Sequence, residues 1–188
     1  MTVSRKNHNP SIARRILRDL KRGESPEKLI PIAKGITDSY YAALGLTYIV
    51  SIGLLEKGKS EKLLKLVFSK VDKVEQSWRR LELLGEISKR LKNLQNGNLK
   101  DTQYKQILKF STSETKEKAK DFFVKNAKNF PASVIESLLT HSLKLKGYEF
   151  ESSKAVVRHW VNNKPVENLI KILSKETGDL RIKLLGYS

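Results

Sequence analysis

The sequence predicts an all-α protein built as a stack of antiparallel helix pairs, about ten helices in all. Three observations lead there. Apolar residues recur at three- and four-residue spacing along most of the chain, and no segment shows the alternation of a half-buried strand. Residues 39–55 contain no Asp, Glu, Lys or Arg, the mark of a helix buried on nearly every side. The start of that helix also recurs: Asp38-Ser-Tyr-Tyr-Ala-Ala-Leu is answered by Glu75-Gln-Ser-Trp-Arg-Arg-Leu, with similar starts near Glu114 and Glu151. A compact helical bundle, its spacing set only by ordinary helix lengths, is the alternative.

The elements follow in order. Residues 1–10 form a basic N-terminal segment expected to be mobile, and 11–188 a single all-helical repeat domain. Asn9-Pro10 reads as a cap followed by proline in a first turn, where a missing N–H does no harm. That helix stops at Gly23, with Ile12, Ala13, Ile16, Leu17 and Leu20 inward. Ser25-Pro26-Glu27 opens a second helix, which Pro31 kinks or splits. Asp38 caps the uncharged helix, expected over 38–57. Residues 61–71 carry Leu63, Leu64, Val67, Phe68 and Val71 on one face. Asp72 and Glu75 have capping-box spacing, and the helix they open, 72–94, is expected to bury Trp78, Leu81, Leu84, Ile87 and Leu91.

Asn96-Gly97-Asn98 is a turn. Residues 101–110 make a short helix with Tyr104, Ile107 and Leu108 inward. Ser111-Thr-Ser-Glu114 has the spacing of a second capping box, leading to Ala119, Phe122, Phe123 and Ala127. Pro131 begins a helix with Val134, Ile135, Leu138 and Leu139 that ends at Gly147. Residues 151–161 carry Ala155, Val156, Val157 and Trp160. Pro165 starts a helix that ends before Gly178, and the tail has room for one more.

Columns can be drawn through the recurring starts. Leu44, Leu81, Ala119 and Val157 align, as do Tyr48, Gly85, Phe123 and Val161. On this period and pairing the chain resembles the HEAT-like repeat proteins, which implies antiparallel helix pairs stacked in a right-handed α-solenoid over about residues 38–174. Such a stack exposes one helix of every pair along a shared face suited to long ligands.

Charge names the ligand class. The chain has 37 Lys and Arg against 20 Asp and Glu, a formal charge of +17. Like charges repel within a compact fold, so the excess points to a polyanion, or else serves solubility alone. The densest cluster is Arg14, Arg15, Arg18, Lys21 and Arg22 in the first helix, relieved only by Asp19. Arg79 and Arg80 lie early in a later helix, Lys89, Arg90 and Lys92 late in it, and Lys154 and Arg158 share a face four residues apart. These twelve are the candidate phosphate contacts, because Lys and Arg neutralise phosphate whatever the sequence and Arg grips two oxygens at once.

The expected function is therefore non-enzymatic nucleic-acid binding. RNA or a ribosomal surface is favoured over duplex DNA, since no base-reading element such as a helix-turn-helix is visible. The alternative is a scaffold for an acidic protein. No catalytic constellation stands out and no cofactor is expected. His8, His141 and His159 are far apart, Glu82 and Glu86 read as solvated, and no glycine-rich phosphate loop occurs. A HEAT-like DNA glycosylase would want paired tryptophans and an acid, which Trp78 and Trp160 do not supply. Surface aromatics of a single-strand reader are sparse: Tyr104, Tyr148 and Tyr187 are the candidates, and the larger aromatics read as core. The chain has no cysteine, which excludes disulfides and thiolate metal sites. Residues 39–55 fall short of a membrane span, so no membrane partner is expected and a cytoplasmic location is. Abundant Lys, Glu, Ile and Leu with scarce Met, Gln and Cys resembles the composition of thermophile proteins.

Overall fold

The computed structural model describes residues 9–92 and 101–186. Among the described residues there are eleven α-helices and two 3₁₀ turns, and no strand. The chain divides into two compact units, residues 1–98 and 99–188. The turn at 96–98 and residues 1–8 lie outside the described residues.

The first unit holds α1 (Asn9–Lys21), α2 (Pro26–Lys34), α3 (Ser39–Ser51), α4 (Lys57–Asp72) and α5 (Ser77–Lys92). α3 packs against the other four. Its inner positions are small or apolar (Ala42, Ala43, Gly45, Leu46, Ile49, Val50), and all are buried. Gly45 lets a neighbour approach closely: a Cβ there would stand 3.1 Å from Ile16 Cδ1 of α1. Asn9 Nδ2 donates to Thr37 Oγ1 at 3.2 Å just ahead of α3, so α1 and α3 run parallel. α3 and α5 also run parallel, because Asp38 meets Arg79 at their starts and Tyr48 meets Arg90 further along. α2 and α4 pack on α3 as well.

Several boundaries differ from those the sequence suggested. Asp38 does cap α3, accepting from the N–H groups of Tyr40 (2.9 Å) and Tyr41 (3.2 Å). The helix then ends at Ser51, because Gly53 takes φ +73° and turns the chain, a conformation that favours glycine. Pro31 does not split α2: its ring is exposed, while Pro26, Leu29 and Ala33 are buried. α4 runs from Lys57 to Asp72 with Leu63, Leu64, Val67, Phe68 and Val71 buried as expected. Asp72 therefore closes α4 instead of capping α5, which begins at Ser77. With that start, Trp78 is 60% exposed and Leu81 half-buried, while Leu83, Leu84, Ile87 and Leu91 are buried.

The second unit holds α6 (Asp101–Thr112), α7 (Lys116–Asn126), α8 (Ile135–Leu143), α9 (Glu149–Val161), α10 (Val166–Leu173) and α11 (Gly178–Leu185). Its two 3₁₀ turns, Ala127–Asn129 and Ala132–Val134, join α7 to α8. α9 is central, packing against α7, α8, α10 and α11. Lys120 lies over the Tyr148 ring near the starts of α7 and α9, and His159 bonds the Phe130 carbonyl at 2.7 Å near their ends. α7 and α9 therefore also run parallel. The core centres on Phe122, Phe123, Phe130, Ile135, Leu138, Leu139, Val156, Val157 and Trp160.

The capping box expected at Ser111 is absent. Ser111 is buried in the last turn of α6 and donates to the Leu108 carbonyl at 2.9 Å, and Thr115 stands at the N-cap of α7. Pro131 precedes a 3₁₀ turn, and α8 stops at Leu143, before Gly147 takes φ +90°.

Candidate nucleic-acid interface

The α1 cations sit as the periodicity requires. Ala13, Ile16 and Leu20 turn inward, so Arg14, Arg15, Arg18 and Lys21, and Arg22 just past the helix end, are exposed. Asp19 is the one carboxylate among them. It lies 3.3 Å from Arg15 Nε and 3.9 Å from Arg18 Nε, with those arginine side chains still 64% and 60% exposed. Exposed pairs of this length contribute under about 1 kcal/mol, so the guanidinium groups remain available to a stronger anion. Pro10, Ser11, Ile12, Arg14, Arg15 and Arg18 line a shallow, open depression beside them.

The α5 arginines are held differently. Arg79 is half-buried, its Nη2 donating to Asp38 Oδ2 at 3.2 Å while its guanidinium lies 4.7 Å from the centroid of Tyr40 and 5.5 Å from that of Tyr41. Arg90 lies 4.2 Å over Tyr48, and its Nε donates to Glu86. Each cation thus sits against an aromatic ring and pairs with a carboxylate. Burial pushes the Tyr40 hydroxyl up to about 12, with the Glu82 charge adding to it. Burial also raises Tyr48, opposed by the nearby charges of Arg90 and Arg14. The charge of Arg14 on α1 therefore acts on the same hydroxyl as that of Arg90. Lys89 and Lys92 are exposed and Arg80 is half-buried.

Lys154 and Arg158 lie one turn apart on the outward stripe of α9. Lys154 is half-buried with Nζ 5.8 Å from the Phe150 centroid, and Arg158 is exposed. They belong to the second unit, whereas the α1 cluster belongs to the first.

Three aromatic residues give no sign of a surface role in the sequence. Tyr40, Tyr41 and Tyr48 are half-exposed on an edge of α3, although that helix lacks charge. The cations that lie over them come from α5, which no local pattern in α3 reveals. Conversely, Tyr104 is only 3% exposed and packs 5.6 Å from Phe130, so it is core and not a stacking surface. Tyr187 lies outside the described residues. His159 also bonds into the fold: with Nε2 on the Phe130 carbonyl, its Nδ1 faces Asn163 Nδ2 at 3.2 Å. His141 Nδ1 bonds the Ser137 carbonyl at 2.7 Å. Among the described residues no group of His, Asp and Glu is arranged to hold a metal ion, and no helix is long and apolar enough to cross a membrane.

No protein-family model matches the sequence, and neither a curated protein nor a solved structure does.

Proposed function

We propose that the protein is a non-enzymatic nucleic-acid-binding protein, RNA or a ribosomal surface being favoured over duplex DNA, and that its helices stack as HEAT-like pairs with the α1 face as the principal phosphate contact. The observation that carries this reading is the outward surface of α1, where five exposed cations share one carboxylate. Holding them together costs self-repulsion, which a bound polyanion relieves. The parallel course of α1, α3 and α5 supports the stacked arrangement, since alternate helices of such pairs run the same way. Lys89, Lys92, Lys154 and Arg158 extend the candidate contacts, while Arg79 and Arg90 already serve the fold through Asp38 and Glu86.

Charge reversal tests the assignment. The triple variant Arg14→Glu, Arg15→Glu, Arg18→Glu should lose binding to a labelled single-stranded RNA in an anisotropy titration, while Lys154→Glu, Arg158→Glu should weaken it less. Equal affinity for wild type and triple variant would remove α1 from the interface. A ligand captured from lysate that survives nuclease digestion would favour the acidic-protein scaffold instead.

A further inference from the structure

The strip between α3 and α5 differs in chemistry from the α1 face it adjoins. It contains two guanidinium plates, Arg79 and Arg90, laid over Tyr40, Tyr41 and Tyr48. Its carboxylates are Asp38, Glu82 and Glu86, the first and last pinning the plates. Two cations against three anions give no net attraction for phosphate. Five cations against Asp19, one helix away, give a strong one. α1 packs directly on α3, and the Arg14 charge acts on the Tyr48 hydroxyl.

Resting on the nucleic-acid reading above, we infer that the α3–α5 strip seats the bases of a single-stranded polynucleotide whose phosphates lie along the α1 arginines. A duplex presents phosphates outward and hides its base faces, so it could use the α1 cluster but not the strip. An unpaired strand offers both chemistries at once. Its bases stack on aromatic rings and on arginine planes, and a guanidinium already held by a ring and a carboxylate loses little freedom when a base covers it. Arg79 and Arg90 are three turns apart on α5, about 16 Å at the helical rise, so the strip is long enough for more than one nucleotide. Glu82, exposed between the plates, supplies an acceptor for an exocyclic amine.

The test uses the full chain and four labelled probes of equal length: single-stranded RNA, single-stranded DNA, duplex DNA, and an abasic strand that keeps the phosphates without the bases. The single strands should bind at least about 5-fold tighter than duplex or abasic strand. Tyr48→Leu, and Arg90→Lys, which keeps the charge but loses the plane, should each weaken single-strand binding by about 5- to 100-fold, the range of one stacked base. Binding of the abasic strand and the salt slope should not change, and thermal melts should show both variants folded. Duplex or abasic strand binding as tightly as single strand overturns the inference, as does unchanged affinity in both variants, and the α1 phosphate reading survives either result. Failure of every probe to bind at low salt overturns both.

Discussion

Two thirteen-residue helices, α3 and α9, hold the same position in their units and solve it with different chemistry. Each is packed by helices before and after it. α3 has no charge of its own and borrows Arg79 and Arg90 from α5 to cover its tyrosines. α9 carries its own outward charges, Glu151, Lys154 and Arg158, and fixes its inner face with buried hydroxyls. Ser153 shares a hydrogen bond with Ser142 of α8 at 2.8 Å, and Ser152 donates to the Ser142 carbonyl at 2.9 Å. Arginine follows the same division, with eight residues in the first unit and two in the second. A central position in a helical unit thus constrains the size of inner side chains more tightly than it constrains what the outer stripe does.

The largest stability effect should separate the two tryptophans. Trp160 is fully buried and its Nε1 donates to the Pro165 carbonyl at 3.0 Å, so Trp160→Ala should cost about 3–5 kcal/mol in urea unfolding. Trp78→Ala should change stability by no more than about 0.5 kcal/mol. Acrylamide should quench wild-type fluorescence in two classes, the accessible one disappearing in the Trp78 variant. Next comes Asp38→Ala, which removes the α3 cap and the partner of Arg79 and should cost about 1–2 kcal/mol. In the other hub, Ser153→Ala should cost about 1 kcal/mol, because Ser142 keeps a second bond to the Leu139 carbonyl.

The smallest effect is a pH slope. Since the folded pKa of Tyr40 is raised from 10.0 to about 12, its contribution to stability is present below pH 10 and lost as pH rises toward 12. Tyr40→Phe should flatten the decline in stability over that window relative to wild type.

Helix identity was legible because periodicity states which residues turn inward. Leu63 to Val71 in α4, Phe122 and Phe123 in α7 and Trp160 in α9 all followed. Boundaries were less legible where two signals competed. Asp72 has capping-box spacing with Glu75, but Val71 and Val74 both need burial, and extending α4 provides it. That moved the start of α5 and turned Trp78 to the surface. The α1 face was readable from one helix alone. The Tyr48 platform was not, since it is assembled from Tyr48 of α3 with Glu86 and Arg90 of α5, which only the packing of the two helices brings together.

The central claim is that α1 binds phosphate, and the salt dependence of binding tests it most directly. Measured from about 50 to about 300 mM salt, the logarithm of the association constant should fall linearly with the logarithm of salt. Replacing Arg14, Arg15 and Arg18 by Gln should flatten that slope by about 0.7 for each phosphate of the single strand that these arginines neutralise. A slope near zero in the wild type, or one that the three substitutions leave unchanged, would contradict the account.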